Sequence, residues 1–175
     1  KDPYPLTEWA SDPEFQAFKG FEPYEKMSEE EKIECSWHVL ASGLSNIVHG
    51  EQGALLGASQ LATCAPPYNA KLYAESQTFD EARHVELCRR MVFALGGDGV
   101  INKEPTFVRS NKKLSPRERI LRCAMGSLCI GETISVRLLA AVRDEAKDPL
   151  ARSVLQQLVE DESIHSRFGW RLMEH

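Results

Sequence analysis

The sequence lacks the features that mark several common classes of protein. It has five cysteines in 175 residues, but no two are spaced as Cys-x-x-Cys. This excludes a rubredoxin-like or zinc-ribbon module within the chain. No apolar run approaches the length of a membrane span, and the start of the chain has no signal-peptide pattern. Lysine and arginine form no cluster, and the net charge is −5, so we expect neither a nucleic-acid nor a membrane partner.

The cysteines predict a reducing compartment. Their number is odd, and all five lie in helical stretches beside apolar residues. This distribution is typical of reduced, buried thiols in a cytoplasmic protein, where the side chains serve packing. The five are Cys35, Cys64, Cys88, Cys123 and Cys129.

Helix signals are abundant. Ser28 and Ser115 each have a glutamate three residues on, which is the capping-box pattern of a helix start. Asp148 followed by proline is a third N-terminal signal. Pro66-Pro67 and Gly96-Gly97 are stop signals. The predicted helices cover residues 28–65, 68–95, 115–146 and 148–175.

The order and spacing of these helices predict an all-α fold. No segment shows strand alternation, and the length suits a single domain. The links after the first and third helices are short, whereas residues 96–115 form a long connection. One long crossover between helices 2 and 3 is the topology of a ferritin-like four-helix bundle. We predict such a bundle over residues 28–175, preceded by an irregular N-terminal arm over residues 1–27.

Two copies of one metal-ligand pattern occur in the chain, one in each half. In both copies a lone glutamate precedes an Asp-Glu-x-x-His segment by the same number of positions. The Glu and His of Glu-x-x-His lie one helical turn apart on the same face, so both can reach one metal ion. Four carboxylates and two imidazoles are the set with which helical bundles hold two iron ions. The predicted metal ligands and catalytic residues are Glu51, Glu81, His84, Glu132, Glu162 and His165.

The spacing of the ligands from the helix ends supports one shared site. Glu51 and Glu81 lie equally far from Pro66, on opposite sides of it. The second pair of glutamates is placed in the same way around Lys147. Each antiparallel helix pair therefore brings its ligands to one height, roughly 22 Å from the turn. Both lone glutamates also share apolar helix stripes, where an unpaired carboxylate is costly.

The donor set predicts the kind of metal. We expect Glu81 and Glu162 to bridge two ions. The terminal ligands of one ion are Glu51 and His84, and those of the other are Glu132 and His165. Carboxylate oxygens with one imidazole per ion suit iron or manganese, and the lack of thiolate ligands disfavours zinc and copper. Two iron ions are predicted, and an Mn/Fe pair is left open.

Several neighbours of the ligands have two interpretations. Asp80 and Asp161 are predicted to accept a hydrogen bond from the histidine of the opposite half. Alternatively, they are exposed acids that pair with Arg83 or Arg167. Small residues around Glu51 either leave space for O2 and substrate or allow close helix packing. These small residues are Gly50, Gly53, Ala54, Gly57 and Ala58.

The doubled pattern, a lone Glu and a later Asp-Glu-x-x-His at a fixed spacing, resembles that of the di-iron carboxylate proteins of the ferritin-like superfamily. The resemblance covers about residues 28–175. It is to the O2-activating branch, which includes bacterial multicomponent monooxygenases, the ribonucleotide reductase small subunit and p-aminobenzoate N-oxygenase. It implies a di-iron oxidase or oxygenase that takes O2 as co-substrate and oxidises a small organic molecule. The two electrons would come from a separate reductase or from the substrate.

Three residues depart from individual members of this branch. Cys88 lies where the ribonucleotide reductase subunit has its radical tyrosine, and Glu51 lies where that subunit has aspartate. Some multicomponent monooxygenases have cysteine at the first of these places. Leu158 lies where the N-oxygenase family has an additional histidine ligand. These differences disfavour a tyrosyl-radical generator and arylamine N-oxygenation.

Two alternatives to an oxygenase remain at this level. One is iron handling or peroxide removal, by a ferroxidase or a rubrerythrin-like protein. The other is a bundle that binds metal without catalysis. The symmetric two-histidine ligand set favours the oxygenase branch, and a homodimer is left open.

Overall fold

A computed structural model of the chain describes residues 8–65, 67–95 and 113–174. Within these ranges the regular structure is helical, apart from an isolated bridge between Ser11 and Ala146. The helices are α1 (Glu22–Glu25), α2 (Glu29–Cys64), α3 (Tyr68–Ala94), α4 (Pro116–Cys123), α5 (Glu132–Glu145) and α6 (Pro149–Leu172). A π-helical segment, Ala124–Gly131, joins α4 to α5, and a 3-10 turn, Pro13–Phe15, precedes α1. The predicted all-α ferritin-like bundle is confirmed. The predicted long connection lies almost wholly outside the described residues.

The helix starts are fixed by the predicted caps. Ser28 accepts a hydrogen bond from the backbone of Glu31, whose carboxylate accepts one from the Ser28 backbone. The same reciprocal box opens α4 at Ser115. At α6, Asp148 accepts a 2.7 Å hydrogen bond from the backbone of Ala151. These bonds satisfy amide groups that the first turn of a helix leaves unpaired, and the predicted starts of these helices are confirmed.

The π-helical segment was not predicted. It lies between two glycines of neighbouring helices, Gly57 on α2 and Gly169 on α6. A Cβ on Gly169 would lie 2.7 Å from the Cβ of Leu128 and 2.8 Å from its carbonyl carbon. A Cβ on Gly57 would lie 3.2 Å from the hydroxyl oxygen of Ser127. The widened turn therefore requires a residue without a side chain at Gly169, and Gly57 makes its approach to α2 easier.

Helix packing leaves two apolar clusters with the predicted ligands between them. α2 packs along α3, and α5 packs along α6. The larger cluster includes Leu40, Leu44, Met91 and Leu155, and the smaller one includes Leu61 and Leu128. Residues of the smaller cluster come from the last turns of α2, the first turns of α3 and the π-helical segment. The ligand-bearing turns lie near the middle of the bundle, between these clusters.

Backbone groups in the described part of the N-terminal arm form hydrogen bonds with the bundle. The indole nitrogen of Trp37 donates a 2.8 Å hydrogen bond to the carbonyl of Glu8. The amide of Ala10 donates to the hydroxyl of Ser36 at 3.1 Å, and the carbonyl of Ala10 accepts from the amide of Lys147 at 2.9 Å. The arm thus contacts both α2 and the link between α5 and α6.

Two sequence expectations need correction. All five cysteines are free, but only Cys88 and Cys129 are buried, and Cys64 is exposed because it is the last residue of α2. The helix Pro116–Glu145 is long and apolar enough, by length and composition alone, to cross a membrane, although no run of that kind was predicted. A single helix of this kind is weak evidence for a span. The buried Glu132 also lies within that helix.

Candidate metal centre

The structure brings all six predicted ligands together. Four helices, α2, α3, α5 and α6, carry the ligands. Each of them directs its ligand glutamate toward the bundle axis. Glu81, Glu162 and His84 have no solvent exposure, and His165 has 1%. The lone glutamates, Glu51 and Glu132, are each 5% exposed. Four carboxylates buried this deeply require cations or protons to offset the loss of hydration.

The histidine of the first half faces three carboxylates with one ring nitrogen. His84 Nδ1 lies 2.9 Å from Glu162 Oε1, 3.4 Å from Glu51 Oε2 and 3.5 Å from Glu81 Oε2. Its other nitrogen, Nε2, lies 3.0 Å from Asp161 Oδ2. The Nδ1 atom therefore points into the centre, and the Nε2 atom contacts Asp161 on the side of the ring away from the centre.

The second half repeats this arrangement. His165 Nδ1 lies 3.0 Å from Glu162 Oε2 and 3.2 Å from Glu81 Oε1. Its Nε2 atom lies 3.4 Å from Asp80 Oδ2. Each histidine is thus held by the aspartate of the other half, as the sequence predicted.

The potential ligand atoms form two overlapping groups, each within 4.8 Å. The first group is Glu51, Glu81, His84 and Glu162, and the second is Glu81, Glu132, Glu162 and His165. Glu81 and Glu162 belong to both groups, as bridging carboxylates would. One oxygen of each, Glu81 Oε2 and Glu162 Oε1, is buried and faces His84 Nδ1 without a well-aligned hydrogen bond. Free carboxylate oxygens among imidazole nitrogens are suited to binding hard divalent ions.

Protons balance the charge of this cluster when no metal is bound. Burial, with the charge of Glu162, raises the pKa of Glu51 to about 8 and that of Glu132 to about 11. Burial works against ionisation of Glu81 too, but hydrogen bonds from both histidines hold its pKa below the usual range. Burial tends to lower the pKa of His165, yet its carboxylate partners raise it to about 10. Metal ions would replace these protons.

Arg83 links the two aspartates behind the histidines. Its Nη2 atom lies 2.7 Å from Asp161 Oδ2 and 3.1 Å from Asp80 Oδ1. Each aspartate therefore contacts both a histidine and Arg83. The hydrogen bond to the histidine and the pairing with arginine, which the sequence offered as alternatives, are both present. Asp161 also accepts a hydrogen bond from Gln157 at 3.0 Å. Such partners orient metal-binding histidines and raise their basicity.

A cleft of about 500 Å³ between α2 and α5 leads to the centre. Both terminal glutamates, Glu51 and Glu132, line it. The apolar part of the lining includes Ile47, Ala54, Ile134, Leu138 and Leu139. None of the described residues that line the cleft is a lysine or an arginine. The polar lining side chains other than the glutamates are the small groups of Asn46, Ser127 and Ser135.

Some of the small residues around Glu51 leave space beside the centre, and the others allow close helix packing. Gly50, Gly53 and Ala54 line the cleft, and a Cβ on either glycine would meet nothing within 4 Å. Gly57 instead packs against the π-helical segment, and Ala58 is fully buried. Space near the ligands therefore comes from the turn around Glu51, and close packing begins one turn later.

Two of the three residues that depart from the related families, Cys88 and Leu158, have apolar surroundings. Cys88 is fully buried in the larger apolar cluster, and burial, with the charge of Glu51, raises the pKa of its thiol to about 12. Leu158 is fully buried in the same cluster. Neither offers an ionised ligand to the centre.

One polar residue of the centre was missed from the sequence. Gln77 is 1% exposed, and its side-chain nitrogen lies 3.1 Å from Glu81 Oε1 and 3.5 Å from Glu132 Oε1. Its position four residues before Glu81, on the same helix face, was the available signal.

A family model described as P-aminobenzoate N-oxygenase AurF matches residues 2–175. The match covers nearly the whole chain, including the arm and all six candidate ligands. No curated protein and no solved structure matches the chain significantly.

Proposed function

The chain belongs to the P-aminobenzoate N-oxygenase AurF family, a family of di-iron oxygenases, and from this premise we propose that it is an O2-dependent oxygenase. The proposed iron ligands are the six clustered side chains. The proposed substrate is a small, largely apolar organic molecule. The observation that carries this proposal is that both terminal glutamates line an apolar cleft.

The side chains of the centre have separate tasks in this proposal. Glu81 and Glu162 would bridge the two ions, because each belongs to both ligand groups. Asp80, Asp161 and Arg83 would keep each imidazole turned inward. Two iron(II) ions would supply the electrons with which O2 is activated. In a monooxygenation, one oxygen atom would enter the substrate and the other would leave as water. This consumes two protons and the two electrons that the iron(II) ions would supply, and a reductant would restore those electrons before the next turnover.

The residues that line the cleft indicate the class of substrate. A substrate carboxylate would find no lysine or arginine among the described lining residues. Ile134 and Leu138 would instead contact hydrocarbon, and the small polar groups would orient one neutral hydroxyl or amine. Leu158 lies where the N-oxygenase family has an additional histidine ligand. We therefore propose oxidation of an apolar substrate in preference to N-oxygenation of an anionic arylamine.

The test is substrate oxidation by protein loaded with two equivalents of iron(II) under argon and then exposed to ¹⁸O2. Apolar hydrocarbons, neutral arylamines and p-aminobenzoate are compared, with a chemical reductant supplying electrons. Label in the product of an apolar substrate supports the proposal. Repeated oxidation of many iron ions per chain, with no labelled product, would show an iron-handling protein instead.

A variant that fills the cleft sharpens this test. Ala54→Trp should lower product formation at least tenfold without changing the iron content, because the indole would occupy the cleft. Ala82→Trp is the matched control, since Ala82 is an exposed residue of α3 outside the cleft. Equal product yields from the two variants would place substrate oxidation elsewhere.

A further inference from the structure

A buried amide distinguishes the two halves of the centre. Gln77 lies on α3, one helical turn before Glu81 and on the same face. Its Nε2 donates a 3.1 Å hydrogen bond to Glu81 Oε1 and a longer one, 3.5 Å, to Glu132 Oε1. It therefore spans one bridging and one terminal carboxylate.

Chemistry fixes the orientation of this amide. Its oxygen, Oε1, is buried and has no hydrogen-bond partner. Leaving a buried acceptor unpaired is costly. The reverse orientation would place this oxygen 3.1 Å from the carboxylate of Glu81, whose pKa is lowered so that it is ionised, and would leave the NH2 group without that acceptor. The amide is thus committed to donating into the ligand cluster.

The corresponding position of the other half carries no donor. Leu158 lies four residues before Glu162, as Gln77 lies four before Glu81. It is fully buried and packs in the larger apolar cluster. The hydrogen bond described for Glu51 comes from His84 Nδ1, at 3.4 Å, and His84 is itself a candidate ligand. Within the described ranges, His84 is the one side-chain donor to Glu51, which lines the cleft.

We propose that Gln77 is a positioning residue that makes the two metal positions inequivalent. It holds Glu132 ready to bind, whereas Leu158 leaves Glu51 free to reorient toward the cleft. This inference rests on the proposed dinuclear metal centre. An oriented carboxylate binds without a reorganisation cost, and loss of such a supporting contact typically weakens metal binding about 10–100-fold.

The test is anaerobic titration with cobalt(II), monitored by calorimetry and by the visible spectrum of the bound ion. The wild-type protein should bind two ions in two steps. Gln77→Leu should weaken the tighter step about 10–100-fold. It should weaken the other step less, because the other position shares only the Glu81 contact of the amide. Leu158→Met is the matched control on the other half and should leave both steps unchanged. Two wild-type steps in Gln77→Leu would overturn the inference while leaving the dinuclear centre intact.

Double variants show which of the two metal-binding steps depends on Gln77. Gln77→Leu should have its full effect in a Glu51→Ala background, which retains the Glu132 position. It should have a smaller effect in a Glu132→Ala background, where only the contact with Glu81 remains. Equal effects in both backgrounds would show that the amide supports the bundle rather than one metal position. Gln77→Met, which keeps the length but not the donor, replaces Gln77→Leu if that variant does not fold.

A metal-free measurement separates this inference from the proposed function. In ¹⁵N-labelled wild-type protein, the side-chain NH2 of Gln77 should exchange slowly with water and shift when Glu132 is changed to glutamine. Rapid exchange, or insensitivity to Glu132→Gln, would contradict the hydrogen bond itself. If the wild-type protein binds no cobalt(II), iron(II) or manganese(II), the proposed function fails, and the inequivalence of metal positions fails with it.

Discussion

The two halves of the centre share one ligand pattern but lie in different surroundings. Glu51 lies within the unbroken helix α2, whereas Glu132 directly follows a π-helical segment. Within the repeated motif, Arg83 of the first half corresponds to the exposed Ile164 of the second. The comparison teaches that a repeated ligand set does not make two equivalent positions. The supporting residues decide how firmly each ligand is held.

The largest effect should come from a ligand that both halves share. Glu81→Ala should reduce the bound iron from two ions to at most one per chain, because Glu81 belongs to both ligand groups. Glu162→Ala should do the same. Metal analysis after dialysis measures this. Glu86→Ala is the control, since Glu86 pairs with Arg89 and Arg90 outside the centre. Two ions retained after loss of Glu81 would contradict the bridging assignment.

The aspartates behind the histidines should differ in importance. Asp161 has three donors, at 3.0 Å from His84, 2.7 Å from Arg83 and 3.0 Å from Gln157. Asp80 is 3.4 Å from its histidine. Asp161→Ala should therefore weaken metal binding about 10–100-fold, and Asp80→Ala should weaken it less. Competition with a chelator measures both, and the opposite order would contradict this interpretation of the contacts.

The clustering of the six candidate ligands could be predicted from the sequence because their spacing is local and repeated. Glu-x-x-His fixes a shared helix face, and proline, glycine and capping residues mark the helix ends. The contact of each aspartate with the opposite histidine followed from the same symmetry. The π-helical segment could not be predicted, because its widened turn depends on Gly57 and Gly169 from distant parts of the chain. Gln77 was missed for a related reason. A role for a glutamine can be assigned only when the residues that it contacts in the fold are known.

The π-helical segment of the second half should depend on close packing. In Gly169→Ala the new Cβ would meet the Leu128 backbone, which cannot rotate away. We expect a loss of about 1–3 kcal/mol in the free energy of unfolding. In Gly57→Ala the neighbour is the Ser127 hydroxyl, which can turn, so the loss should be smaller. Gly43→Ala, in open space on α2, should be neutral or stabilising. Denaturant unfolding of the three variants checks this order, which a stable Gly169→Ala protein would contradict.

The protonation of the centre predicts opposite pH dependences for the stability of the metal-free protein and for the stabilisation that bound metal adds. The pKa of Glu51 is raised to about 8 and that of His165 to about 10, so the folded metal-free protein holds more protons than the unfolded chain. Its stability should therefore fall, by at least about 1 kcal/mol, as the pH rises from 6 to 9. Metal binding needs deprotonated ligands, so the stabilisation by metal should grow over the same range.

Thermal unfolding at pH 6 and pH 9, with and without manganese(II), measures both dependences. Glu81→Gln serves as the comparison, because it removes a carboxylate partner of both histidines and should flatten the metal-free dependence. Metal-free protein that gains stability toward pH 9 would contradict the proton-balanced cluster.

The most direct test of the account is anomalous diffraction at the iron edge from crystals loaded with iron(II). The account predicts two iron positions between the apolar clusters. Glu51 and His84 should bind one, Glu132 and His165 the other, and Glu81 and Glu162 should contact both. A single iron position, or iron bound away from these six side chains, would contradict it.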